Sequence, residues 1–181
     1  TGYGPNGVVV CWASNCEGVN TFTSTTDGSF HLAGVPAGTP SILRFFNPNY
    51  LPVFSQVFSA PMDFTFGVDT YGGIGPFMLY TTGELTTFGL NPEAGKALIM
   101  GRVVDKTYMN AGNVAGAVVT ATDRNSKTYP VTYFGFNGLG GSSTYQNGIY
   151  YVLNVDAATA SEGIIDIQAS KAGWTFSTPS A

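Results

Sequence analysis

The sequence predicts an all-β chain of two small domains in tandem, and three observations carry that expectation. Charged residues make up only 10% of the 181 positions, against about 25% in an average soluble domain, while aromatics reach 14% and there are 24 glycines. The polar positions go to Thr, Ser, Asn and Gly rather than to Lys and Glu, which is the palette of strands and turns. The third observation is that one pattern of turn and strand occurs twice.

In the first copy Asp27-Gly28-Ser29-Phe30-His31-Leu32-Ala33-Gly34-Val35-Pro36 matches Asn147-Gly148-Ile149-Tyr150-Tyr151-Val152-Leu153-Asn154-Val155-Asp156 in kind. Each begins with a tight-turn dipeptide, since Gly reaches positive φ without steric cost, and continues as an alternating apolar strand. A strand follows each: Ser41 to Phe46 with a close at Asn49-Tyr50, and Ile165 to Lys171 with a close at Gly173-Trp174. The second of these alternates without error, so one face is expected buried and the other wet. Upstream, Gly7-Val8-Val9-Val10-Cys11-Trp12 resembles Gly116-Ala117-Val118-Val119-Thr120-Ala121.

Gly34-Val35-Pro36-Ala37-Gly38-Thr39-Pro40 after Thr26-Asp27-Gly28-Ser29-Phe30 resembles the carboxypeptidase regulatory-like family. So does Gly101-Arg102-Val103-Val104-Asp105 leading through Val114 to Val119 and on to Lys171-Ala172-Gly173-Trp174. The resemblance covers about residues 4 to 58 and 97 to 177. It implies two Ig-like, transthyretin-like (prealbumin-like) Greek-key sandwiches, with Trp174 as a core aromatic. It brings no catalytic residues, because such domains serve as accessory, adhesive or surface-anchored modules.

On this reading residues 1–60 form the first sandwich, 61–96 a packed connection and 97–181 the second sandwich. Within the connection, Met62 to Phe66 alternates like a strand and Pro76 to Tyr80 is an apolar run. Thr81 to Leu90 predicts a short helix, with Thr81 or Thr82 as cap, Glu84 in its first turn, Leu85 and Phe88 on one face and Gly89 as its stop.

The second copy opens with an apolar strand, Ala97 to Asp105, that has no counterpart before Gly4-Pro5-Asn6-Gly7 in the first. A sandwich one strand short leaves backbone N–H and C=O groups unpaired beside its core, so something is expected to cover that margin. The local candidates are Val53 to Phe58 and Met62 to Phe66 folding back. The intermolecular candidate is β-strand addition from another copy. For this route the assembly candidates are Val8 and Val10 on one side and the tail residues Thr175, Phe176 and Thr178 on the other. Head-to-tail contacts that do not close give filaments.

Cys11 and Cys16 flank Trp12-Ala13-Ser14-Asn15, and a hairpin around Ala13 and Ser14 brings them within bonding distance; two small buried thiols are the alternative. A secreted setting favours the disulfide. The formal net charge of −4 is built from eleven carboxylates and seven scattered basic residues, which points away from nucleic acid or an anionic membrane as partner. So few charges also leave little repulsion between copies, and a surface covered by neighbours explains the composition better. No apolar stretch reaches the roughly 18 residues of a membrane span and no basic leader precedes Thr1, so a mature, soluble product without membrane insertion is expected.

Catalysis is not expected. The single histidine, His31, lies between Phe30 and Leu32, so alternation puts it on the opposite face from both, and no G-x-S-x-G elbow accompanies it. Asp63, Asp69, Glu84, Asp105 and Asp123 have ordinary explanations at strand ends, Asx turns and a helix start, and are too dispersed for a calcium loop. Trp12, Tyr71, Tyr108, Tyr133 and Trp174 are candidates for a sugar-stacking platform, although thin sandwiches use most aromatics as core. The expectation is therefore a non-catalytic extracellular or cell-surface structural protein, without cofactor or metal, that assembles with itself into a filament. The alternative is a module that binds carbohydrate or a surface protein.

Overall fold

The computed structural model describes residues 7–13, 16, 21–23, 30–34, 37–55, 79–105, 112–156 and 165–176. The chain separates into two units, residues 1–84 and 85–180. Apart from one short helix, the regular structure among the described residues is antiparallel β.

Unit 1 holds one sheet in the order β2-β1-β3-β4, formed by β1 (Val9–Trp12), β2 (Thr21–Thr23), β3 (Leu43–Phe46) and β4 (Val53–Phe54). Gly7, with φ 79°, turns the chain into β1. Val10 then pairs with Phe22 on one side and Phe45 on the other. Alternation sends Val8, Val10, Leu43 and Phe45 into the core, where Phe30, Leu32, Val53 and Leu79 pack against them. Two side chains fix the ends of β3. The Leu43 N–H donates to Ser55 Oγ at 2.9 Å, and Asn47 Nδ2 donates to the Gly7 carbonyl at 3.2 Å.

Helix α1 (Thr82–Thr87) is closed at both ends by its own sequence. Thr81 Oγ1 accepts from the Glu84 N–H at 3.1 Å, and Glu84 Oε2 accepts from the Thr81 N–H at 2.7 Å, a reciprocal capping box. The bond from the Thr81 backbone N–H, followed by one from its hydroxyl to Oε2 at 2.9 Å, holds the Glu84 carboxyl below its ordinary pKa. At the other end Leu90 N–H returns to the Leu85 carbonyl and Gly89 N–H to that of Thr86, with Gly89 at φ 78°, which is a Schellman stop. Leu85 is buried while Phe88 is half exposed, its ring edge-on to Phe134.

Unit 2 has β5 (Lys96–Arg102), β6 (Val118–Asp123), β7 (Val131–Gly135), β8 (Gly138–Leu139), β9 (Ile149–Asp156) and β10 (Ile165–Ser170). They make a sheet β5-β9-β7-β8 and a two-stranded ladder β10-β6. Side chains of both meet in one core: Ala121 of β6 packs with Val152 and Val155 of β9, against Ile165 and Ile167 of β10. Next to them Val119 packs with Tyr133 of β7, whose hydroxyl accepts the Val119 N–H at 2.8 Å. Thr144 is also buried; its hydroxyl donates to the Val114 carbonyl and accepts the Ala117 N–H.

The β7–β8 hairpin is not among the elements expected from sequence, although Asn137-Gly138 is a turn dipeptide and Gly138 takes φ 97°. It escapes notice because Phe134-Gly135-Phe136 breaks the alternation expected of a strand.

Candidate functional site

The two units invite comparison along the repeated pattern, because the same local devices recur at matching positions. Gly7 and Gly116 enter their strands at φ 79° and 73°. After the next paired strand, Tyr50 N–H closes onto the Asn47 carbonyl and Trp174 N–H onto that of Lys171. Gly34 has φ 78° and Asn154 φ 55°, so the Gly of one pattern and the Asn of the other share the left-handed conformation.

The surroundings of these segments differ. β9 is paired on both margins: Val152 faces Ile99 of β5 and Val131 of β7, and Tyr150 faces Gly101 and Tyr133. The matching residues 31–34 of unit 1 join no strand ladder. Leu32 and Phe30 still turn inward onto the core, with Phe30 edge-on to Phe45 at 5.5 Å, and His31 stands exposed on the other face as alternation requires.

Val10 does not stand at an open margin. β1 lies between β2 and β3, and Val8, which precedes it, and Val10 are both core. The return strand β2 occupies one side of β1 while β3 occupies the other. Of the local candidates, Val53–Phe54 forms β4 on β3, and the remainder of 53–58 beyond Ser55 and all of 62–66 lie outside the described residues. Phe176 packs on the core of its own unit and Thr175 lies beside it; Thr178 lies outside the described residues.

Cys11 and Cys16 form a disulfide, with Cα atoms 5.1 Å apart, that closes a short loop at the end of β1. Trp174 is not a core residue: it is 42% exposed, with the Lys171 ammonium 4.7 Å from its ring and Phe176 stacked 6.3 Å away. The Lys171–Trp174 turn carries the side chain past the end of β10 to the rim of an open groove of about 550 Å³. Of the other aromatics considered, Tyr133 is core, Trp12 is half buried, and Tyr71 and Tyr108 lie outside the described residues.

A polar cluster that sequence reasoning missed joins β5, β6 and β9. Asp156 pairs with Lys96 through one carboxylate oxygen and with Lys127 through the other. The buried Tyr129 hydroxyl lies 3.1 Å from both Asp123 and Asp156. The bond from Lys127, followed by that from Lys96, holds the Asp156 carboxyl far below its ordinary pKa of 3.8. Asp123 is also lowered, first by the Lys127 backbone N–H, and this is the Asx turn expected at that strand end. Burial, then the bond to Asp123, raises the Tyr129 phenol. With two lysines and two carboxylates the cluster is electrically balanced and works as a clasp between strands.

Asp105 ends its segment with a backbone bond to Gly112, and Asp63 and Asp69 lie outside the described residues. Among the described residues no group of three or more His, Cys, Asp or Glu is placed to hold a metal ion, and no helix is long and apolar enough to cross a membrane. Compared with family models, curated proteins and solved structures, the chain matches none.

Proposed function

We propose that this chain is a non-catalytic structural protein of the extracellular space or a cell surface, two copies of one transthyretin-like sandwich, and that it assembles with itself by β-strand addition at unit 1. One observation carries the reading: residues 31–34 join no ladder while Leu32 covers a core, whereas the matching residues of β9 are paired on both sides. A strand margin next to a core invites a further strand. The Cys11–Cys16 disulfide is compatible with an oxidising compartment, and with 10% charged residues copies repel weakly.

The test is light scattering after size-exclusion chromatography over a wide range of concentration, with electron microscopy of the concentrated sample. Mass that grows with concentration and ends in filaments is the expected result. A monomer at every concentration overturns the reading.

A second reading has its own observation, the exposed Trp174 at the rim of an open groove. It makes the chain a binder of carbohydrate through ring stacking. Glycan binding by a monomer, lost in Trp174→Ala, would favour it over assembly.

A further inference from the structure

We infer that residues 31–34 are a preshaped acceptor for strand β5 of a second copy, taken antiparallel in the register that β5 keeps on β9. The inference rests on the assembly reading above and names the two segments that meet.

The kink is the first argument. In β9 the left-handed Asn154 has a visible cause, because the ladder shifts there: Ala97 faces Val155 and Ile99 faces Val152, so the single residue Leu98 spans both Leu153 and Asn154. The Asn154 side chain also holds the lead-in to β5, accepting the Glu93 N–H at 2.9 Å and donating to its carboxylate at 3.1 Å. In unit 1 Gly34 makes the same kink, with φ 78°, where no ladder runs beside it. The segment has the form of a strand shaped against a β5, and no described strand of unit 1 pairs with it.

Side-chain fit is the second. Gly101 faces Tyr150, and a Cβ at that glycine would stand 2.2 Å from the tyrosine ring, so an aromatic here demands glycine opposite. Phe30 occupies the matching place in unit 1 and turns onto the core as Tyr150 does. Laid on unit 1 in the same register, β5 sets Gly101 against Phe30, Met100 against the exposed His31, Ile99 against Leu32, and Leu98 at the Gly34 kink.

The donor is identified by its register on β9. β5 has no buried residue and pairs on one margin only, as do β10 and β8, but β5 alone keeps a ladder on β9 that shifts at the Asn154 kink. The tail is the weaker donor. Counting on from the shared Tyr50 and Trp174 turn, it matches Leu51 to Phe54, the segment that closes β3 of its own unit as β4. Phe176 is already packed on its own core.

A fluorescent peptide of residues 96–102 titrated into the purified chain tests the acceptor without first having to detach β5 from β9. Binding is read by anisotropy and by amide hydrogen exchange. Saturable binding is expected, with exchange at 31–34 slowed about tenfold or more. Gly101→Val in the peptide should abolish it. In the protein, Gly34→Asn should keep it and Gly34→Val should lose it, because Asn accepts the left-handed conformation and a β-branched residue does not. Should Gly34→Val fail to fold, Gly34→Asn and the two peptides still decide the matter.

No binding by the wild-type peptide, or equal binding by the Gly101→Val peptide, overturns the inference. If filaments nevertheless grow, strand addition stands with another donor. If the chain also stays monomeric, the assembly reading falls with it.

Discussion

Residues 30–34 and 150–154 follow the same pattern of side chains and the same left-handed kink, yet residues 31–34 join no ladder and 150–154 lie at the centre of a sheet. In both, the first and third residues turn inward. Around β9 lie β5 with seven residues and β7 with five. In unit 1 the one strand described between β1 and Phe30 is Thr21–Thr23. The comparison teaches that local shape follows from local residues, whereas pairing depends on whether the chain supplies a neighbour.

If unit 1 depends on a small core covered by a lone segment, the largest effect should follow from truncating that core. Leu43→Ala, at a position 2% exposed, is expected to cost unit 1 about 2–5 kcal/mol and to unfold it ahead of unit 2 in a denaturant titration followed by two probes. Coincident transitions would mean that the units do not differ in the way described.

Next in size is the disulfide. A loop closed over a sequence separation of five limits the unfolded chain by about 2 kcal/mol, so Cys16→Ser should lower the urea midpoint of unit 1 and leave that of unit 2 in place. A similar loss is expected in unit 2 from Thr144→Val, which leaves the Ala117 N–H and Val114 carbonyl buried and unpaired at a cost of about 1–3 kcal/mol. Calorimetry of the two variants should move different transitions.

The smallest effect concerns the clasp at Asp156. Its folded pKa, like that of Asp123, lies below the ordinary 3.8, so the native state binds the proton less readily than the unfolded chain does. The stabilisation is present above that ordinary value and drains away as pH falls below about 4 toward the folded pKa. Thermal melts between pH 7 and pH 2 should show the unit 2 transition falling in that range, and Asp156→Asn should flatten the decline. Because the group is solvent-facing, the difference should be a few degrees at most and should shrink with added salt.

Much of this architecture was legible in the sequence. Strand alternation in Ile165 to Ser170, the turn dipeptide Asn147-Gly148, the Asx turn at Asp123, and the Thr81, Glu84 and Gly89 signals of α1 all act within a few residues, so composition and spacing reveal them. The Cys11–Cys16 bridge belongs to the same short range. The clasp was not legible, because Lys96 is 60 positions from Asp156 and Lys127 is 29, and nothing in the local pattern announces that a ladder will bring them together. Nor was the exposure of Trp174, which depends on where the turn after β10 carries its ring.

What the residues by themselves determined is the kind of chain this is: β-rich, thinly charged and twice patterned. Only tertiary structure decided which strand lies beside which, placing β1 inside its sheet and leaving residues 31–34 outside any ladder. Backbone hydrogen bonds between strands are the same for every sequence, so the choice of neighbour is made by chain length, connection and core packing over long separations.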